Sequence, residues 1–285
     1  MIPFSPPHID DKIVDEVAAA LRSGWITTGP RTKELEKRLT EYCGNKKTLC
    51  VSSATAGLEL MLRWFGVKEG DEVIVPVYTY CATANVVVHC GAKPVFIDVG
   101  DDFNITVDNI KNAITSKTKV VMPVDIAGFP CDYDAINFLV NEKEIKERFV
   151  PNTPEQEQLG RVLVLSDAAH SFGAFCGKKR AGSFTDISVF SFHAVKNLTT
   201  AEGGGIMLNL PDSFDCNKIY QQLNVRSLHG QSKDALDKVN HVGGWRYDVV
   251  EAGYKCNMTD VQAAIGLVEL ARYEEILTKR KVIFD

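Results

Sequence analysis

The residues with the clearest chemical potential lie in one stretch, Asp186-Ile-Ser-Val-Phe-Ser-Phe-His-Ala-Val-Lys-Asn-Leu-Thr-Thr-Ala-Glu-Gly-Gly-Gly205. It opens as a short apolar strand, Ile187 to Phe192, and closes on a glycine run that leads into another strand. Between them stands one lysine, Lys196, in a turn with Ser191, His193, Asn197, Thr199 and Thr200. A solvent lysine belongs as a rule to a helix face or a charged run, and this one belongs to neither. Lysines in confined sites lose basicity and serve as nucleophiles toward carbonyls. Taken alone, the segment equally admits a loop lysine bonding a backbone carbonyl.

Two further features bear on that choice. Asp167 closes the apolar strand Val162–Ser166 and is followed by Ala168, Ala169 and His170. A buried carboxylate at a strand end needs a cationic or hydrogen-bonding partner. Ser52-Ser-Ala-Thr-Ala-Gly57 is a run of small residues between a short strand, Leu49–Val51, and a helix predicted over 58–65. Small residues at such a helix start leave backbone N–H groups free to hold an anion, aided by the helix dipole. The plainer reading there is an ordinary cap by Ser53 or Thr55. An amine for a carbonyl, a carboxylate for a ring nitrogen and a helix start for a phosphate together suit pyridoxal phosphate.

The elements that must position these groups are strands at Glu72–Val77, Pro94–Val99, Val120–Ile126, Val162–Ser166, Ile187–Phe192 and Gly205–Leu210. Their apolar runs are continuous rather than alternating, so both faces are expected to be buried, and helices fill the gaps. The pattern predicts an α/β fold with a mainly parallel central sheet. In such sheets ligands bind at the carboxyl ends of the strands. Those ends carry Ser52-Ser53, Tyr78-Thr79-Tyr80, Asp125, Asp167 and His193.

Helices are predicted over 9–23 and 31–43, joined by a Gly- and Thr-rich turn whose Trp25 is either a packing plug or a ligand-facing surface. Residues 142–160, polar and with two prolines, read as the end of a helix followed by an exposed excursion. Residues 213–229 read as helix and 230–252 as loop. From Thr259 an amphipathic helix runs on to about Phe284 without a capping glycine, so the natural protein is expected to continue past Asp285.

Composition narrows the function classes. The 285 residues are 45% hydrophobic and 24% charged, ordinary for a soluble globular protein. A net charge of −5 argues against nucleic acid or an anionic membrane as the main partner. No basic-then-apolar leader opens the sequence and no apolar run reaches membrane-spanning length, so a cytoplasmic location is expected. The eight cysteines form no C-x-x-C pair and mostly fall in apolar stretches, which predicts reduced thiols and no structural metal.

The sequence resembles the DegT/DnrJ/EryC1/StrS family of sugar aminotransferases, pyridoxal phosphate enzymes of the aspartate aminotransferase fold type. The matching stretches are Trp25-Ile-Thr-Thr-Gly-Pro30, Val51-Ser-Ser-Ala-Thr-Ala-Gly-Leu58, Val75 to Asn85, Gly91 to Asp98, Ser166-Asp-Ala-Ala-His-Ser-Phe-Gly-Ala174, Phe190 to Gly204 and Gly253 to Gly266. They cover nearly the whole chain in the family's order. The resemblance implies that Lys196 binds the cofactor covalently and shuttles protons, and that Asp167 holds the ring-nitrogen proton. It implies His170 near the cofactor's phenolic oxygen, Tyr80 stacked on the ring, and Ala54, Thr55 and Ser191 on the phosphate. It implies a homodimer in which the partner's 253–257 loop, with Lys255 or Asn257, reaches the same phosphate. The chain departs from the family pattern at Ala54, where glycine is usual, at Ser166, where glutamate often stands, and at Asp125, where histidine is common. Many relatives carry asparagine at the position of Lys255 and arginine at that of Asn257. The substrates implied are a nucleotide-linked keto-sugar and, as donor, glutamate. Trp25–Thr28 and residues 226–247 are expected near the substrate. A sugar dehydratase on the same scaffold typically has histidine at the position of Lys196, and a non-catalytic scaffold would have no use for Asp167, Ser191 and Lys196 together. The whole of 1–285 is expected to form the large cofactor-binding domain, with 1–45 an N-terminal helical segment and 253–285 leading to a small C-terminal domain that this chain lacks.

Overall fold

The computed structural model describes residues 6–233 and 246–284. The first helix, α1 (Asp11–Ser23), starts where the Asp10 side chain accepts from the Ile13 N–H at 3.2 Å, and Gly24 ends it in the left-handed conformation. α2 (Pro30–Cys43) has proline in its first turn, where the missing N–H costs nothing. Its own N-cap, Gly29, offers no side chain. The cap comes instead from Asp260, fully buried, which accepts from the N–H groups of Gly29 (2.8 Å), Arg31 (3.0 Å) and Thr32 (2.9 Å) and from Thr32 Oγ1 (2.8 Å). One carboxylate thus satisfies the free donors of a helix more than two hundred residues away in sequence.

The chain then alternates strand and helix: β1 (Lys47–Val51), α3 (Ala54–Trp64), β2 (Glu72–Pro76), α4 (Cys81–His89), β3 (Lys93–Ile97), α5 (Val107–Ala113) and β4 (Thr118–Val121). Three helices follow, α6 (Tyr133–Asn141), α7 (Lys143–Arg148) and α8 (Pro154–Leu159), and then β5 (Leu163–Asp167). A short antiparallel hairpin, β6 (Phe175–Cys176) and β7 (Lys179–Arg180), precedes β8 (Ile187–Ser191) and β9 (Gly204–Leu208). The described chain ends with α9 (Cys216–Ser227), α10 (Asp260–Ala271) and α11 (Tyr273–Phe284).

Seven strands form the central sheet in the order β1-β9-β8-β5-β4-β2-β3. The pairs β2–β3, β2–β4, β4–β5 and β5–β8 are parallel, while β9 runs antiparallel to both β1 and β8. A strand flanked antiparallel on both sides leaves β1 and β8 pointing the same way, so every strand but β9 delivers its carboxyl end to one edge. Gly57 lets α3 lie close on the sheet, since an added Cβ would fall 2.8 Å from Val189 Cγ1. At the opposite edge Arg161 and Asp186, both buried, pair through two 2.7 Å hydrogen bonds and tie the starts of β5 and β8 together.

Several predicted elements need correction. The strand expected over 120–126 stops at Val121, because Pro123 brings no N–H to the ladder. Residues 142–160 are largely exposed, as expected, but they are not loop throughout: they carry the short helices α7 and α8, pinned by buried Ile145, Phe149 and Gln156. Thr153 and Pro154, read as loop formers, are a helix start: Thr153 caps α8 through the Gln156 N–H, and fully buried Gln156 donates to the Phe65 carbonyl at 2.8 Å. The long terminal helix is two, broken at Arg272, whose guanidinium is drawn to Asp10 and Glu269 while Tyr273 turns into the core. Of the loop expected over 230–252, residues 234–245 lie outside the described residues. No described helix is long and apolar enough to cross a membrane.

Asp260→Ala leaves buried N–H groups without a partner and is expected to cost about 3 kcal/mol of unfolding free energy. Urea titration against the wild type checks this, and a loss below about 0.5 kcal/mol, the scale of an uninvolved surface position, would refute the cross-chain cap.

Candidate active site

A cavity of about 700 Å³ opens at the carboxyl edge of the sheet. Ser53, Ala54 and Thr55 reach it from the start of α3, Tyr80 from the start of α4, Asp167 and His170 from the loop after β5, and Ser191 and Lys196 from the end of β8. Seven of the sequence-predicted residues thus meet in one place besides Ser53: Ala54, Thr55, Tyr80, Asp167, His170, Ser191 and Lys196. Lys255 and Asn257 do not line it. Lys255 donates to Asn257 Oδ1 at 2.5 Å, and Asn257 in turn donates to Thr28 Oγ1 at 2.7 Å, on the far side of β1 from β9.

Asp167 is buried, and burial pushes its carboxyl above the ordinary range. Thr83 Oγ1 donates to one oxygen at 2.7 Å and the Ala169 N–H to the other at 3.3 Å. Lys196 is near enough to favour the charged form, yet burial outweighs it and no ion pair joins Asp167 to a described residue. The Lys196 amine is held below its ordinary value by burial, partly offset by Asp167. His170 is lowered too, by burial first and then by the neighbouring lysine charge, which keeps its ring neutral near pH 7.

The α3 start carries an ordinary cap and still leaves two donors free. Ser53 Oγ accepts from the Ala56 N–H at 3.1 Å, an ordinary cap, while the N–H groups of Ala54 and Thr55 find no acceptor among the described residues. Gly204 makes that start accessible. It pairs with Val51 on one side and Ser191 on the other, and an added Cβ would lie 2.5 Å from Ser53 C and 2.6 Å from Ala54 N. β9 can therefore approach the cradle at this register only as glycine.

Asp125 and Ser166, two of the departures from the family pattern, do not line the cavity. Asp125 is buried beneath the cavity and accepts from Tyr133 Oη (2.5 Å), Ser171 Oγ (2.5 Å) and the Cys131 N–H (3.1 Å), and Ser166 Oγ bonds Tyr133 Oη at 2.6 Å. Neither side chain faces the cavity. Trp25, half-buried, packs over Gly29, and buried Thr28 donates to the Met258 carbonyl at 2.6 Å, while Ile26 and Thr27 between them are exposed. Residues 234–245 of the predicted substrate region lie outside the described residues. Thr83, the direct partner of Asp167, was not singled out from sequence, since nothing in Cys-Ala-Thr-Ala points to a residue 84 positions on.

A parallel sheet whose carboxyl edge carries a depressed lysine, a buried carboxylate without a cation and an open helix start defines a pyridoxal phosphate domain of fold type I. The residues fit that group: its cationic ring nitrogen answers the uncompensated Asp167, and its phosphate answers the free N–H groups of α3. The model of the DegT/DnrJ/EryC1/StrS aminotransferase family matches residues 7–147 and 155–285. The chain is 38% identical over 284 residues to the spore coat polysaccharide biosynthesis protein SpsC of Bacillus subtilis, covering 99% of this chain and 67% of that protein. It superposes on a putative sugar aminotransferase, Spr1654 from Streptococcus pneumoniae, in a structure described as the PMP form, with TM-score 0.95 and 48% identity over 100% of this chain and 71% of that one. The PLP form of the same protein gives 0.93 and 46%, over 100% and 70%. Helicobacter pylori PseC, an aminotransferase involved in pseudoaminic acid biosynthesis, gives 0.79 and 28%, over 95% and 66%. The chain belongs to the DegT/DnrJ/EryC1/StrS aminotransferase family, and it is a pyridoxal-phosphate-dependent enzyme of the sugar aminotransferase class.

Burial lifts the Asp125 carboxyl to about 6 from its ordinary 3.8. A folded-state value above the unfolded one means the native state binds the extra proton, so this contribution is full below about pH 4 and is lost as pH rises through about 6. Two units correspond to about 3 kcal/mol. The unfolding free energy of the wild type minus that of Asp125→Asn should therefore fall by about 2–3 kcal/mol between roughly pH 4 and 7 in urea titrations. A difference independent of pH would show that Asp125 does not titrate in that window.

Proposed function

We propose that this protein transfers an amino group from glutamate to a nucleotide-linked keto-sugar. The observation that carries the reading is the meeting of Lys196, Asp167, His170 and the open start of α3 in one cavity. Similarity to SpsC, a spore coat polysaccharide biosynthesis protein, and to Spr1654, a putative sugar aminotransferase, supports a sugar as acceptor.

When bound, pyridoxal phosphate supplies an electron-withdrawing ring that stabilises negative charge at the carbon bearing the amino group. The chain's residues do the rest. The N–H groups of Ala54 and Thr55, with Ser191 Oγ, hold the phosphate. Asp167, ionised once a cation faces it, keeps a proton on the ring nitrogen, and Thr83 fixes the orientation of the carboxylate. Tyr80, 73% exposed at the start of α4, is placed to cover a ring face. His170, neutral because of its surroundings, serves as a hydrogen-bonding partner to the phenolic oxygen. Lys196 Nζ anchors the cofactor covalently in the resting enzyme. Displaced from that bond by the donor amine, Lys196 would be free to take the proton from the donor's α-carbon, and in the second half-reaction it would return one to the sugar carbon that receives the amine. Burial lowers the basicity of that amine and Asp167 partly offsets the loss, which favours release of a proton once it is taken up. In a homodimer, Lys255 or Asn257 of the second copy would complete the phosphate site from outside.

Purified with the cofactor, the protein should be yellow, and glutamate should bleach that band while pyridoxamine phosphate accumulates. Lys196→Ala should abolish the band and lower transamination at least roughly a hundredfold while the fold survives. A wild-type band that Lys196→Ala retains would sink the assignment, and mass spectrometry of products from UDP-, GDP- and dTDP-keto-sugars tests the acceptor class.

A further inference from the structure

Asn197 follows Lys196 directly, and both ends of its side-chain amide are engaged. Its Oδ1 accepts from Arg280 Nη1 at 2.7 Å, and its Nδ2 donates to the backbone carbonyl of His170 at 3.2 Å. A guanidinium can only donate and a carbonyl can only accept, so the two partners fix the orientation of the amide. Arg280 lies on α11, 83 residues further along. The same helix grips the loop after β5 a second time: the buried Tyr273 hydroxyl donates to the Phe172 carbonyl at 2.7 Å. Gly173 turns there with φ 86°, where an added Cβ would lie 2.6 Å from the Tyr273 ring. On its other side the His170 carbonyl is hemmed in by Gly128, whose added Cβ would fall 2.8 Å from it.

We propose that Asn197 and Arg280 are positioning residues that lock the Lys196 turn to the His170 loop, so that the placement of α11 sets the working geometry of the cofactor site. The inference rests on the reading of Lys196 given above. Leu198, Thr199 and Thr200 anchor the far end of the turn by burial, while the bond of Asn197 to the His170 carbonyl ties its near end to the neighbouring loop. Backbone bonds from Lys196 N–H to the His193 carbonyl and from Thr200 N–H to the Phe192 carbonyl close it locally, and neither ties it to the neighbouring loop. With the amide bridge cut, the turn swings toward water and the lysine regains its ordinary basicity. A chain segment following α11, or a ligand that shifts this helix, would act on the site through the same bridge.

The test follows the growth of the yellow band when pyridoxal phosphate is added to the apoprotein at a series of pH values, because the band forms from the neutral amine. Asn197→Ala and Arg280→Ala should each move the midpoint of that profile upward by about one unit and slow band growth severalfold near pH 7. Arg280→Lys, which keeps a cationic donor, should recover most of the wild-type profile. The double alanine variant should shift no further than Asn197→Ala alone, as expected of two residues in one linkage. Thermal melts of the apoproteins separate folding from positioning: variants that melt earlier but keep the wild-type midpoint overturn the proposal. A band that does not depend on Lys196 instead overturns the reading beneath it.

Discussion

The site depends on a carboxylate that the fold buries without giving it a cation. Asp167 sits at the end of a strand that is buried along its whole length, with two hydrogen-bond donors and an opening on its third side. An isolated charge in such a place is costly, and the chain answers by letting the proton affinity rise. The surrounding core absorbs that cost: β5 lies between β4 and β8, deep in the sheet, with Leu163, Val164 and Leu165 fully buried. A cation placed at the open side would offset that cost.

The other groups are set by strand direction. Because β9 alone is reversed, the ends of β1, β5 and β8 arrive at one edge and the cradle, the carboxylate and the amine face a common space. The reversal also brings Gly204 between Val51 and Ser191, where any side chain would collide with the backbone at the start of α3. Gly204 is therefore a packing requirement of the approach of β9 to the start of α3 more than a flexible hinge. Its two neighbours in the sheet hold it at a fixed register.

The fold class, the parallel strands, Lys196, Asp167 and the α3 start are legible from local signals, whereas His170, Tyr80 and Ser191 enter the site through the family resemblance. Continuous β-branched runs mark buried strands, and small residues after a strand mark a helix start with free donors. What escaped was set by contacts between distant residues. Thr83 serves Asp167, Asp260 caps a helix that begins at Pro30, and Arg280 reaches Asn197, each pairing residues whose relation has no period or spacing in the sequence. The polar stretch around Thr153 misled for a related reason. Thr and Pro serve both turns and helix starts, and only the burial of Gln156 against Phe65 decides between them.

Asp125 and Asp167 show how neighbouring carboxylates come to different ends. Both are buried, both stand at strand ends of the same edge, and the backbone N–H of Asp125 even bonds the carbonyl of Asp167 at 3.3 Å. Asp125 receives three donors from Cys131, Tyr133 and Ser171, and these close its surroundings completely. Asp167 receives two and keeps one side open. A carboxylate with all its partners inside the chain stiffens the loop that carries His170 and Ser171. One with a partner missing has a place for something the chain does not contain. The count of donors, more than burial or proton affinity, distinguishes the two acids, since burial raises both.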